Sequence, residues 1–480
     1  MRICYLVLQF KSEFRYNINM KVVLVKPNYP TYFIVPPLGL GYISASLIHA
    51  GIETVIIDGV KEHLKEETIL NRIDKEKPDW VGITCLSAFF DEVKSLSLKL
   101  KERNYRVIIG GQHPTFMPYM TLIETKCDYI CCGEGEIAIR DLVLQGNNAG
   151  IKGIYSLNEI KDESTSIEKA ETYHNLDDIP LPDWKQMDPR TYEPAPVGMV
   201  AKKYPLAIMM SSRGCPFSCI YCSGGRFYDK KVRFRSPENV VKEMKLLINE
   251  YKVKEIQFMD DNMILRRSHI EGICKLILKE KLNITWSCPN GIRADCLDYE
   301  LAKLMKKAGC YLFTIGIESS NPQTLKTIKK GENIETITNA IYAAKKAGII
   351  INGAFVLGLP GDTKQTMEET INYSKKMPLD RAFFTIMDII PGCELWEKDK
   401  KKYSNFQKTT SFAKPSIIPE GMTEKELIEL QERAMHEFYF RPKIMFNIVK
   451  LMRFSQIKYI LIRLLKFRLF NNIFDVFKKK

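Results

Sequence analysis

The sequence predicts an α/β protein made of two successive parallel-sheet units and a helical carboxyl-terminal extension. Three observations carry this. Short β-branched runs alternate with helical stretches from Met20 to about Ser156, six further strand-then-helix repeats come next, and beyond Thr423 only helical periodicity remains. Apolar strands separated by helices of this length form a sheet covered on both faces, so the first unit is doubly wound and Rossmann-like. Six repeats make the second a partial (β/α)6 barrel of TIM type, with function expected at the carboxyl ends of its strands.

In order along the chain, residues 1–19, which begin MRICYLVLQF, are apolar only briefly and carry no small-residue cleavage site, so they read as an appendage. The first unit, 20–156, has strands VVLVKP (22–27), TVIID (54–58), WVGITCL (80–86), RVIIGG (106–111) and YICCG (129–133). Segments such as LGLGYISASLIHAG (38–51) and DEVKSLSLKLKERN (91–104) are its helices. Residues 157–200 are polar and aperiodic, with IPLPDW and EPAPVG, and read as a linker packed over the surface. The barrel, 201–400, has strands LAIMMS (206–211), EIQFMD (255–260), ITWSC (284–288), LFTIGI (312–317), IINGAFVLG (350–358) and AFFTIM (382–387). Residues 401–480 form the helical, basic extension.

Composition narrows the class. A chain of 480 residues with 45% hydrophobic and 27% charged residues has enough apolar content for real cores, which excludes wholesale disorder. No run approaches the roughly 18 apolar residues of a membrane-spanning helix. Thirteen cysteines, an odd number, fit a reducing cytoplasmic compartment, where clustered thiols are metal ligands or reactive groups before they are disulfides. The net charge is +14, but eleven Lys/Arg against Asp475 alone stand between Arg441 and Lys480. The body is therefore nearly balanced. No DNA partner is expected, and a membrane argument rests on the tail.

Directly after the first barrel strand stands SSRGCPFSCIYCS, which spaces Cys215, Cys219 and Cys222 as C-x3-C-x2-C on a loop. Three thiolates this close can take three irons of one 4Fe-4S cluster and leave the fourth open to a ligand. The alternatives are a zinc knuckle, which needs a fourth ligand and has His269 as its nearest downstream histidine, or three unrelated buried thiols.

Over about Leu206 to Trp396 the sequence resembles the radical S-adenosylmethionine (SAM) enzymes. The resemblance implies that SAM chelates the open iron and that its cleavage yields a 5′-deoxyadenosyl radical, which abstracts a substrate hydrogen. It also implies roles at the strand ends. Asp260 and Asp261 in FMDDN lie against the SAM amino end, although the widespread Gly-Gly-Glu form is absent. Glu318 and Ser319 in GIESS meet ribose hydroxyls, and Gly358 and Gly361 in LGLPGD let the backbone approach adenine. Arg293 in NGIRAD either pairs with the SAM carboxylate or forms a structural ion pair, and Asp362 is expected to be a helix N-cap.

The first unit, with PPLGLGYISASL (36–47), GGQHPT (110–115) and GEGE (133–136), resembles the cobalamin-binding domain of one large radical SAM class. Thr84, Ser87, Gly110, Gly111, Gly133 and Glu134 are the expected cobalamin contacts. His113 either approaches the corrin or is a surface histidine after a glycine turn. The Asp-x-His-x-x-Gly motif is missing, since KPNYPTYFIVPPLG holds no histidine, so cobalt is not expected to gain a lower ligand by that route.

The expected protein is thus a cobalamin-dependent radical SAM enzyme carrying a 4Fe-4S cluster, SAM and cobalamin. By resemblance it methylates an unactivated carbon or phosphorus centre through methylcobalamin. The other readings are a radical cyclase or rearrangement enzyme on the same scaffold, an RNA methylthiotransferase, which would need a second cluster, or a non-catalytic cobalamin or redox sensor. Cys85, Cys127, Cys131 and Cys132 read as buried strand thiols. The substrate is expected to be a small molecule, lipid or peptide, and the electron donor external, of flavodoxin or ferredoxin type. The tail, MFNIVKLMRFSQIKYILIRLLKFRLFNNIF, interleaves apolar and basic residues. It is a surface helix packed on the barrel, a peripheral contact with the inner membrane face, or a binding segment for an acidic partner.

Overall fold

The computed structural model describes residues 20–31, 33–194, 201–400 and 415–451, with side chains to residue 447. The appendage 1–19 and nearly all of the basic tail lie outside the described residues.

The first sheet comprises β1 (Lys21–Lys26), β2 (Glu53–Asp58), β3 (Trp80–Thr84), β4 (Val107–Gly110), β5 (Tyr129–Cys131) and β6 (Ile154–Tyr155). Its order is β2-β1-β3-β4-β5-β6, and only β6 runs antiparallel to its neighbour. Strand β1 shows why both faces must be covered. Val22 and Leu24 pack with Leu40, Leu47 and Leu142 from helices Leu38–His49 and Ala138–Gln145. Val23 and Val25 pack on the opposite face with Ile69, Val93 and Leu122 from three other helices. Because β1 lies between β2 and β3, the strand order reverses there, and such a switch point opens a crevice beyond the strand ends.

The second sheet has β7 (Leu206–Met209), β10 (Glu255–Phe258), β11 (Thr285–Ile292), β12 (Cys310–Glu318), β13 (Ile350–Leu357) and β14 (Arg381–Ile386). They pair in parallel and in sequence order, and β7 and β14 are edges that do not pair with each other. This is the predicted six-stranded partial barrel. A small antiparallel ladder that the strand pattern did not reveal, β8 (Ser212–Arg213) with β9 (Arg233–Phe234), closes the base of the cysteine loop.

Helix Glu424–Tyr439 covers the β14 edge. Gln431 Nε2 donates to the Phe384 carbonyl at 2.7 Å and Tyr439 Oη to that of Ala382 at 2.8 Å, while Leu427, Ala434 and Phe438 are fully buried. The segment expected on the surface between the units is instead partly core. Leu176, Ile179, Trp184 and Met187 join the barrel's apolar cluster together with Leu38, Tyr42 and Met117 of the first unit. Trp184 Nε1 donates to Glu243 at 2.8 Å, and Met187 lies so close to Gly41 that a Cβ there would sit 2.0 Å from its methyl carbon. Asp362 is not the helix cap expected of it: Thr363 caps helix Lys364–Lys376 in a capping box. Asp362 accepts instead from Leu359 N and from the Thr324 and Thr366 hydroxyls, tying down the LGLPGD turn.

Candidate active site between the two sheets

The cysteine loop leaves β8 through Gly214, whose φ of +99° favours glycine and whose Cβ would lie 2.0 Å from the Lys231 carbonyl oxygen. Cys215 and Cys219 are half-buried and Cys222 is exposed. Gly214 N donates to Asp261 at 3.0 Å, Gly224 N to the Cys222 sulfur at 3.4 Å, and Ile220 N to the Ile328 carbonyl at 3.1 Å, so backbone contacts shape the loop. Among the described residues no three His, Cys, Asp or Glu side chains converge on a point for one metal ion.

The strand-end residues are brought to this loop in different ways. Asp260 is buried and saturated by Ser211 N and by the Ser211 and Ser212 hydroxyls, both at 2.6 Å, so it ties the end of β10 to the end of β7. His269 stands behind it, 3.1 Å from Ser211 Oγ, and burial pushes its pKa down to about 4. Asp261 faces the cysteines: besides Gly214 it lies near Gly224 and Cys222. Burial raises the pKa of both carboxyls. Arg293 commits its guanidinium to Asp295 at 2.8 Å and to the carbonyls of Lys330 and Gly331, and it stacks 3.5 Å over the Phe217 ring of the cysteine loop.

Glu318 ends β12 in the left-handed region, φ +62°, a strained conformation of the kind that gathers at functional sites. Its Oε1 meets Lys330 Nζ at 3.1 Å, and Lys330 also meets Glu332 at 3.3 Å. Burial works to strip Lys330 of its proton, but the two glutamates outweigh it and hold its pKa at about 12. Cys219 is part of the same electrostatic group. Sequence reasoning missed Lys330, because nothing in IKKGE separates a buried lysine from its solvated neighbour.

Ser319 is engaged in its own turn, accepting from Asn321 N at 3.1 Å and sharing a hydrogen bond with Thr370 at 3.3 Å. Gly358 has φ +79°, and a Cβ there would lie 3.1 Å from Leu427, so its small size admits the carboxyl-terminal helix.

Beyond the carboxyl ends of the first sheet a cleft of about 830 Å³ opens against the barrel. Six glycines line it, Gly39, Gly82, Gly110, Gly111, Gly133 and Gly135, with Thr84, Glu134 and Glu136. Gly111 has φ +116°, and a Cβ there would lie 2.5 Å from the Cys85 carbonyl oxygen, so only glycine keeps this floor. Glycines and apolar side chains together give a surface that a flat ligand can approach closely. Met210, Arg213, Phe227 and Tyr228 close the cleft from the barrel side, and the last two stand just beyond the cysteine loop.

Five of the expected cobalamin contacts, Thr84, Gly110, Gly111, Gly133 and Glu134, thus share one cleft, whereas Ser87 and His113 pair with each other, Oγ to Nδ1 at 2.9 Å. His113 is not a surface histidine. It is 1% exposed, stacks on Phe90 at 4.2 Å, has Nε2 buried without a partner, and is pushed down to about 3 by burial. Glu134 and Glu136 bind Arg213, at 3.4 and 2.7 Å, and Glu134 also binds Arg233. Arg213 was missed because its partners lie far back in the chain. The thiols of Cys85, Cys127, Cys131 and Cys132 are buried, and desolvation raises the pKa of each.

Comparison with known proteins agrees with this division. The family model described as Radical SAM superfamily matches residues 209–374, and that described as B12 binding domain matches residues 29–143. An uncharacterized methyltransferase of Pyrococcus horikoshii is 34% identical over 444 residues, covering 89% of this chain and 94% of that protein. The anaerobic magnesium-protoporphyrin IX monomethyl ester cyclase of Rubrivivax gelatinosus is 28% identical over 430 residues, 85% of this chain and 76% of that one. Among solved structures, the radical S-adenosylmethionine methyltransferase TsrM from Kitasatospora setae, with cobalamin and a [4Fe-4S] cluster bound, superposes with a TM-score of 0.67 at 16% identity. That likeness covers 81% of this chain and 76% of TsrM and speaks for the fold.

Proposed function

Since the chain belongs to the radical SAM enzymes that carry a B12-binding domain, we propose that it is a methyltransferase acting on an unactivated carbon or phosphorus centre. Its cofactors are a 4Fe-4S cluster, SAM and cobalamin. When bound, these supply a radical that takes a hydrogen atom from the substrate and a methyl group to replace it. The observation that carries the reading is the cleft beyond the carboxyl ends of the first sheet, lined from the barrel side by residues that flank the cysteine loop, Arg213 before it and Phe227 and Tyr228 after it.

The chain's own residues then divide the work. Cys215, Cys219 and Cys222 hold three irons and leave the fourth for the amino and carboxylate groups of SAM. Asp261, beside Cys222, receives the amino end, while Asp260 holds the loop from below. Arg293 has its donors committed to Asp295 and two carbonyls, and the Lys330 ammonium is shared between Glu318 and Glu332, so both fix the surroundings of the cysteine loop, with Glu318 toward the ribose. Thr84, Gly110, Gly111, Gly133 and Glu134 form the cobalamin cradle, and Phe227 and Tyr228 exclude water where cleft and loop meet.

The substrate would be a small molecule, lipid or peptide, and the electron donor a flavodoxin or ferredoxin. No described helix is long and apolar enough to cross a membrane. The basic segment from Arg441 would hold the protein to an anionic inner membrane face in the cytoplasm.

The cyclase relative, 28% identical over 85% of this chain, supports a second reading, ring closure without methyl transfer. The test is anaerobic reconstitution with iron, sulfide and hydroxocobalamin, followed by chemical reduction that brings the corrinoid to the cob(I)alamin state able to take a methyl group from SAM. About four irons and one corrinoid per chain, with corrinoid methylated on SAM addition, are expected. Full cofactors with SAM cleavage but no corrinoid methylation would turn the reading to cyclisation. Four irons without corrinoid would overturn both.

A further inference from the structure

The two halves of the proposed site are joined by two arginines, Arg233, which binds Glu134, and the more deeply buried Arg213, which binds both Glu134 and Glu136. Arg213 is the last residue of β8, two positions before Cys215, and it is 6% exposed. Its partners come from the other unit. Nη1 lies 2.7 Å from Glu136 and 3.4 Å from Glu134, both in the GEGE turn after β5, and its guanidinium sits 4.7 Å over the ring of Tyr42 on helix Leu38–His49. The GEGE turn is anchored in its own unit: Ser46 Oγ donates to the Glu136 carbonyl at 2.6 Å, and Gly133 N donates to Thr115 Oγ1 at 2.9 Å.

On the barrel side Arg213 has no slack either. Its backbone pairs with Arg233 in the β8–β9 ladder, and Gly214 after it is locked by Lys231 and by the hydrogen bond to Asp261. Arg213, Glu134 and Glu136 also line the cleft. A ligand that enters the cleft therefore meets the same three side chains that set the start of the cysteine loop. A buried, fully paired charge has few alternative arrangements, since separating it exposes unpaired ions to a low-dielectric surrounding.

We propose that Arg213 is a positioning residue that couples occupancy of the corrinoid cleft to the geometry of the cluster loop, through its ion pairs with Glu134 and Glu136. The proposal rests on the cobalamin-dependent reading above. It assigns Arg213 no contact with the reacting atoms. It makes the cluster's environment depend on whether the neighbouring cleft is filled.

The experiment uses the full chain, reconstituted anaerobically and reduced, with and without hydroxocobalamin. The cluster's low-temperature electron paramagnetic resonance (EPR) spectrum and midpoint potential are recorded for wild type, Arg213→Gln, Arg213→Lys and Glu136→Gln. In wild type, corrinoid shifts the cluster's g values and potential. In Arg213→Gln that shift is lost while the iron content stays at the wild-type level, and Arg213→Lys restores part of it. Glu136→Gln keeps its side-chain volume and lies 79 residues before Cys215 in sequence, so it tests the same link from the far side should Arg213→Gln fail to fold. It too is expected to lose the shift. A wild type that binds corrinoid without any shift, or variants that keep it, overturns the proposal alone. A wild type with four irons that takes up no corrinoid overturns the functional reading and this proposal with it.

Discussion

At the carboxyl end of the first sheet the site is made by small residues around a cleft of about 830 Å³: six glycines line it, and at five of them a neighbouring group lies within 4 Å of where a Cβ would be. At the carboxyl end of the second sheet the site is made by crowding. Asp260, Asp261, Arg293, Glu318, Lys330 and Glu332 are packed around one cysteine loop, and most of their polar atoms already have partners. The contrast comes from what each end must receive. A large preformed group with its own hydrogen-bonding periphery needs room and a surface it can approach closely. A small metal cluster and a charged ligand need fixed charges that survive burial, and those persist only in mutually neutralising sets. Substitutions should therefore act through charge in one region and through volume in the other.

The largest effect is expected at the thiols. Cys219→Ala removes one of three ligands, and iron per chain after reconstitution should fall from about four to near background, with SAM cleavage lost. Corrinoid uptake should persist, because no described contact of the cleft depends on Cys219. Loss of both cofactors together would break the comparison. Next is Lys330→Met, which leaves Glu318 and Glu332 buried without their shared cation. Uncompensated buried charge costs about 3–5 kcal/mol, so denaturant melts should show that loss. SAM cleavage should fail in protein that still holds iron. If stability is unchanged, the network is not the electrostatic support described here.

The strand runs were legible because burial on both faces leaves short, dense apolar segments, and the cysteine loop because its spacing is local. What escaped was set by contacts distant in sequence. Trp184 and Met187 sit in a polar, aperiodic stretch, yet one meets Glu243 and the other Gly41. The β8–β9 ladder is two residues on each side, too short for an alternating pattern. His113 read as a turn residue and is buried against Phe90 through a ring contact that no local signal encodes. Asp260 and Asp261 are adjacent and chemically alike. Only the placement of Ser211 and Ser212 shows that one holds the loop while the other faces the cysteines.

Gly111→Ala tests the volume side. It forces a side chain into a glycine-only conformation, and its Cβ meets the Cys85 carbonyl oxygen at 2.5 Å. Strain and overpacking together cost about 2–4 kcal/mol. The expected outcome is a lower melting temperature and weaker corrinoid retention, with iron content unchanged. Equal loss of iron and corrinoid would mean that the cleft floor and the cysteine loop are one cooperative structure.

Acid sensitivity gives the finest comparison, since each unit buries one neutral histidine. Desolvation pushes His113 down to about 3 and His269 to about 4, from an ordinary value near 6.5. A histidine whose folded pKa is depressed contributes stability above its unfolded pKa. That contribution drains away as pH falls from about 6.5 toward the folded value, because the unfolded chain takes up the proton first. At pH 5 each would cost the fold about 2 kcal/mol relative to pH 7, by the conversion of about 1.4 kcal/mol per pKa unit. His113→Gln and His269→Gln should therefore lower stability at pH 7, where a buried ring is lost, and flatten the decline between pH 6.5 and pH 5. Denaturant melts across that range read both effects. The two variants should lose similar amounts at pH 7, since a glutamine amide can replace the bond to Ser87 or Ser211 while each gives up a ring contact, with Phe90 or with Phe234. An acid limb as steep in the variants as in wild type would mean that carboxylates, not these histidines, govern acid unfolding in both units.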